Sequence, residues 1–327
     1  MRTTLTSLIL LLSLGCEKKV IKEGAGVGGS DTGSDILDDD VTPVWDDNRH
    51  ATSVNFMSAY STGTDLYVVT TEGQTWHHDG DEWSNIATSV DEVDLTGIWG
   101  SGSGATLKMF AVGHEGQILE WELDQWTYSD VGSAAFAAID GATSTDLIAV
   151  GGAGAWTNRS GDWEAMTNAQ HKFNDVWYDG TFSLAVGDDG SLGWFGRDEA
   201  DFADPEMEGG WIFDEIPDVS AHLYGVDATN LNNIWVVGQS GTVLNWNGVT
   251  WRSVDLGTQN NIWSVWTPDT GIAYVVGQNG MAFRIEGTEA EKLPTGIPNV
   301  LYNVTGTTEA NIWATGARGV ALQYPAE

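Results

Sequence analysis

The chain has 327 residues and is poor in several residue types. Each shortage removes a class of function. A single cysteine, Cys16, leaves no intrachain disulfide and no cysteine-based zinc site. Only 13 lysines and arginines stand against 47 aspartates and glutamates, a net charge of −34. Phosphate backbones reward clustered positive charge, so nucleic acid is excluded as a partner. Seven prolines are too few for a low-complexity spacer protein. No apolar run approaches the roughly 20 residues that a membrane-spanning helix needs, and no window carries a 3.6-residue apolar period long enough for a soluble one. No H-E-x-x-H, G-x-S-x-G or phosphate-binding loop is present. The histidines at 50, 77, 78, 114, 171 and 222 are scattered. His77 and His78 are neighbours on a strand and point to opposite faces, a poor geometry for one metal. No cofactor is implied, apart from Ca²⁺ at acidic loop tips.

What the chain has in quantity is glycine, 41 residues, and tryptophan, 17, with 41% hydrophobic residues overall. That is ample material for a core. The glycines recur in a unit of an apolar pair, a Gly, two free positions and a second Gly: Val112-Gly113…Gly116, Val150-Gly151…Gly154, Val186-Gly187…Gly190, Val237-Gly238…Gly241 and Val276-Gly277…Gly280. Val69-Thr70…Gly73 and Thr315-Gly316…Gly319 are imperfect copies. In every unit short runs rich in Val, Ile, Trp and Tyr alternate with Gly/Asn/Asp turns, which is the signature of strands. Four short strands in about forty residues make a propeller blade. The expected fold is therefore all-β, a seven-bladed β-propeller over 42–327. The glycines supply the positive φ of tight hairpins, and the tryptophans pack between blades.

The last copy ends before its outer strand, while Pro43-Val44-Trp45 precedes the first repeat without a blade of its own. Trp45 stands 28 residues before Gly73, as Trp126 stands 28 before Gly154. Residues around 43–48 are thus expected to complete the seventh blade as an N-terminal outer strand. Deleting 42–50 should be far more damaging than deleting 17–41.

Met1–Cys16 reads as one positive charge, a short apolar run and a small-residue end, with the only cysteine at the cleavage point. It resembles a bacterial lipoprotein signal peptide, which implies lipidation of Cys16 and a membrane partner through that anchor. Residues 17–41 are a Gly/Ser/Asp-rich acidic stretch, read as a flexible linker. Its acids include Asp38–Asp40, read as a solvated run. Gly24, Gly26 and Gly29 spell G-x-G-x-x-G without the strand and helix that a dinucleotide site needs. Glu17 follows the cysteine where an inner-membrane retention Asp would stand, so the expected location is the cell envelope, at the outer membrane or cell surface.

Two insertions fall on one face of the expected propeller, where binding surfaces are common. Gly100–Lys108 lengthens the connection between the first two strands of blade 2. Arg197–Gly210 lengthens that between the last two strands of blade 4. The second holds Asp198, Glu199, Asp201, Asp204, Glu206 and Glu208, a candidate loop for a cation or a basic partner, with a solvated acidic loop as the plainer reading. On the opposite face the Gly-x-x-Gly tips offer His114, Glu115, Asp188 and Asp189 as a candidate ligand site at the channel mouth, where oxygen-rich tips could take Ca²⁺.

The pattern V-G-x-x-G…(D/N)-G-x-x-W, clearest in Val237-Gly238…Asn247-Gly248…Trp251, resembles the Asp-box (BNR-type) repeats of secreted bacterial propellers and the photosystem assembly-factor propellers. No copy carries S-x-D-x-G-x-T-W in full, so the resemblance implies the fold and not sialidase activity. The function expected is a non-enzymatic binding or scaffolding module, monomeric, with a protein or glycan ligand. The alternatives are a glycan-acting enzyme, glycosidase or lyase, with its site in the central channel, and an outer-membrane protein assembly factor.

Overall fold

The computed structural model describes residues 45–88, 93–132, 134–152, 154–166, 171–196, 211–216 and 218–325. They form seven four-stranded antiparallel sheets, with no α-helix. Blades are numbered 1 to 7 in chain order and their strands a to d from the axis outward. The seven a strands are Phe56–Ser61, Leu95–Ser101, Phe136–Thr143, Phe173–Tyr178, Leu223–Asn230, Ile262–Asp269 and Leu301–Thr308. They neighbour one another in cyclic order, the last lying against the first. The arrangement is a seven-bladed propeller. Blade 7 holds Leu301–Thr308, Asn311–Gly316 and Val320–Pro325, and its fourth strand is Asp46–Asp47, with Asp46 opposite Gln323 and Asp47 opposite Leu322.

The core is seven separate clusters, one between each pair of successive blades. Period-two alternation makes this work. On strand b of blade 5, Ile234 and Val236 pack toward blade 4, and Trp235 and Val237 toward blade 6. A strand buried on both faces reads as a continuous apolar run. In every blade but the sixth, whose outer strand Glu289–Lys292 has no tryptophan, an outer tryptophan reaches back to the blade before it. Trp126 of blade 2 donates its Nε1–H to Thr75 Oγ1 of blade 1 (3.0 Å). Trp83 of blade 1 donates to the Asn48 carbonyl (2.7 Å), and Trp45 packs on Tyr324 and on blade 6 residues.

The two glycines of the repeat turn out to have different reasons. In blade 4 the second, Gly190, lies at φ +77°, as a tight turn requires, and an added Cβ would meet the Val219 carbonyl at 2.3 Å. The first, Gly187, is extended (φ −150°). Its need is space: a Cβ there would meet the Lys172 carbonyl at 2.4 Å. The b–c turn is pressed against the d–a loops on the same side of the blade. The connection after Ser101 in blade 2 contains a short 3₁₀ turn, Gly104–Thr106, and the Gly102 carbonyl accepts a hydrogen bond from Tyr60 Oη of blade 1 (3.0 Å).

Candidate ligand site at the central channel

The a strands line a cavity of about 260 Å³ on the propeller axis. Each carries a β-bulge after its first residue, at Phe56/Ser58, Leu95/Gly97, Phe136/Ala138, Phe173/Asp175, Leu223/Gly225, Ile262/Ser264 and Leu301/Asn303. A bulge leaves its extra residue out of the ladder and re-aims it. The residues so placed are Met57, Thr96, Ala137, Asn174, Tyr224, Trp263 and Tyr302, all of which line the cavity. Because each a strand begins opposite the end of strand b, these side chains stand at the mouth on the b–c side.

Side chains on the a strands tie each of blades 1 to 6 to the next. Thr96 Oγ1 donates to the Phe136 carbonyl (3.1 Å) and Asn174 Nδ2 to the Leu223 carbonyl (2.8 Å). Ser58 Oγ accepts the Ile98 N–H and Ser264 Oγ the Val304 N–H. Three carboxyls do the same work on blades 3, 4 and 5. Asp140 accepts the N–H of Gly141 (2.8 Å) and of Tyr178 (2.6 Å). Asp175 accepts those of Val176 and Val226 (both 2.9 Å), and Asp227 those of Ala228 (2.9 Å) and Thr267 (2.6 Å). In each, one oxygen holds its own strand and the other the next blade, so all six oxygens are engaged.

The cavity lining contains these three acids and no Lys, Arg or His. Each of the three is half-buried, with protein around it and part of its surface on the bore. Burial pushes Asp175 and Asp227 up to about 7, against the pull of their backbone N–H donors. Burial pushes Asp140 well above the usual carboxylate range, and the neighbouring charges of Asp227 and Asp175 add to it.

At the mouth, three successive blades carry aromatics. Tyr224 stacks on Trp263 (centroids 4.4 Å, 27° between planes), and Trp263 meets Tyr302 in a T-shaped contact (6.3 Å). Burial, and then the nearby charge of Asp188, raise the Tyr224 phenol above its ordinary value. Trp263 Nε1 and Asn303 Oδ1 are buried without a hydrogen-bond partner.

Of the residues the sequence singled out, Asp188 and Asp189 sit beside this aromatic arc. Asp188 bonds Lys172 Nζ (2.8 Å) and Asn174 Nδ2 (3.1 Å) and lies 3.3 Å from His222 Nδ1. Lys172 above all holds its carboxyl below the usual range. Asp189 is exposed, in the left-handed region (φ +57°). His114 and Glu115 are exposed on the turn of blade 2, and the charge of Glu115 acts on Tyr128 of that blade's outer strand. No contact among the described residues joins them to Asp188 and Asp189. No group of three or more His, Cys, Asp or Glu among the described residues is placed to hold a metal ion. Cys16, Asp38–Asp40 and the six acids from Asp198 to Glu208 lie outside the described residues. The channel carboxyls and the aromatic arc were not singled out from the sequence. The signal of the arc is the residue after the first apolar position of each a strand, which reads as one more strand residue until the bulge is known.

With the propeller and its channel defined, comparison with solved structures finds chains of similar fold. YCF48 bound to a D1 peptide superposes with a TM-score of 0.69 at 12% identity, covering 88% of this chain and 98% of the other. YCF48 from Cyanidioschyzon merolae gives 0.66 at 15%, covering 86% and 98%. A catalytically inactive virginiamycin B lyase from Staphylococcus aureus with quinupristin gives 0.73 at 9%, covering 86% and 99%. No protein-family model and no curated protein matches the chain. Likeness at this level of identity carries the fold and not the function.

Proposed function

We propose that this chain is a non-catalytic binding propeller of the bacterial cell envelope, made with the signal peptide 1–16, lipidated at Cys16, tethered by 17–41 and placed at the outer membrane or cell surface. One observation carries the binding reading: every carboxyl oxygen in the channel already accepts a backbone N–H. A general acid or base must hold a proton-exchanging oxygen toward its substrate. These carboxyls instead hold the wall together. YCF48, a neighbour in fold, is bound to a peptide, which supports a protein ligand over a glycan.

The test incubates the full chain with peptide and polysaccharide arrays, with and without Ca²⁺, and assays the same fractions for cleavage. Saturable binding without turnover is expected. Turnover of a bound glycan or peptide overturns the reading. Metabolic labelling with a fatty acid, compared between the wild type and Cys16→Ser, together with membrane fractionation, tests the anchor.

A further inference from the structure

We infer that the channel mouth on the b–c side is a binding site for an extended, basic peptide segment, with Tyr224, Trp263 and Tyr302 as its wall. The inference deepens the binding reading and rests on it. Its first support is a contrast among blades. At the bulge position Thr96 and Asn174 are small polar residues that bond the next blade's carbonyl. Met57 and Ala137 of blades 1 and 3 carry no such link, and only blades 5, 6 and 7 place large aromatics there, which meet each other across two blade boundaries. Blade-to-blade closure at this level does not require them.

The second support is a pair of groups without partners. Trp263 Nε1–H is a donor and Asn303 Oδ1 an acceptor, on adjacent blades and on the lining of one cavity. A buried polar group without a partner costs free energy. A peptide unit offers both complements, a carbonyl for the indole and an N–H for the amide oxygen. Both atoms are covered in the free protein, so a ligand reaches them as the tyrosine rings turn aside.

The third support is charge. Asp188 stands near Tyr224 and is paired with Lys172 and close to His222, exposed Asp189 follows it on the same turn, the bore beyond holds three carboxyls and no cation, and the whole chain carries −34. Lysine and arginine side chains complement such a mouth and also stack on aromatic rings.

The experiment uses the full chain, an array of random 12-residue peptides, and labelled peptides made from its strongest hits. Each is also made with Lys and Arg replaced by Ala. Binding is compared for the wild type, Trp263→Ala and Asp189→Asn, with melting curves to show that each variant folds. Asp189 is exposed, so Asp189→Asn keeps the test decisive if Trp263→Ala does not fold. Expected are basic hits, at least about tenfold weaker binding to Trp263→Ala, a several-fold loss with Asp189→Asn, and weakening as NaCl rises from 50 to 500 mM. Peptide binding that ignores the variants, or hits without basic residues, overturns the site and its ligand class but leaves the binding reading standing. Glycan binding lost in Trp263→Ala overturns the peptide and keeps the site. No binding of either class overturns both.

Discussion

At the scale of single residues, the channel carboxyls set two forces against each other. Backbone donors favour the ionised form, and enclosure favours the neutral one. For Asp175 and Asp227 enclosure prevails, moving them from 3.8 to about 7. The folded state then binds more protons than the unfolded state between these values. Their contribution to stability is complete below about pH 4 and is lost as pH rises through about 7. Melting measured in 0.5 M NaCl should fall by on the order of 5 °C from pH 5 to pH 8. Asp175→Asn should start lower, having lost one acceptor, and show a shallower slope. Parallel curves for the two proteins would assign the pH dependence to other groups. The turn glycines permit a cleaner comparison. Gly190 combines φ +77° with a backbone oxygen 2.3 Å from a Cβ, whereas Gly257 has φ +65° and open space around it. Gly257→Ala should cost about 1 kcal/mol, the left-handed penalty alone. Gly190→Ala should cost more than about 3 kcal/mol, because the Val219 segment must move as well. Chemical denaturation of the two variants checks the difference, and equal costs would mean that the loop yields freely.

At the scale of the strand and the blade, the outer tryptophans act as fasteners between neighbours. Trp45 is 5% exposed and packs on Tyr324 across the seventh sheet. Trp45→Ala should cost about 3–5 kcal/mol, and removal of residues 45–48 should cost more, since it also takes the partner strand of Val320–Pro325. A deletion variant that melts like the wild type would show that this strand contributes little. This level was the most legible in the sequence. Trp45, Trp83, Trp126, Trp163 and Trp251 keep their distance from the turn glycines because each blade repeats one geometry, so spacing alone places them. The a strands were less legible. A bulge shifts alternation by one residue without changing composition, and Asp140, Asp175 and Asp227 read as ordinary polar positions beside many other acids. Nothing local says that one oxygen of each will bond the next blade, a contact about forty or fifty residues away in the chain.

At the scale of the whole molecule, the excess of acid over base is itself a force. Arg49, Lys108, Arg159, Lys172 and Arg284 each sit in an ion pair, so few described cations remain to offset the other acids. Unpaired like charges repel in the folded state more than in the expanded unfolded one. Exposed charges are screened within about 10 Å at 0.1 M salt, while enclosed ones are screened much less. The surface repulsion and the channel carboxyls both destabilise the fold as pH rises, so pH alone cannot separate them, but salt can. At pH 8, raising NaCl from 20 to 300 mM should lift the melting temperature by about 2–4 °C for each kcal/mol of repulsion removed. At pH 5 the lift should be smaller, because part of the surface acid is then protonated. The carboxyl contribution, held inside the bore, should survive at the highest salt and vanish only in the Asp→Asn variants. A pH dependence abolished by salt in the wild type would place the whole effect on the surface and leave the channel acids as neutral links between blades at every pH measured.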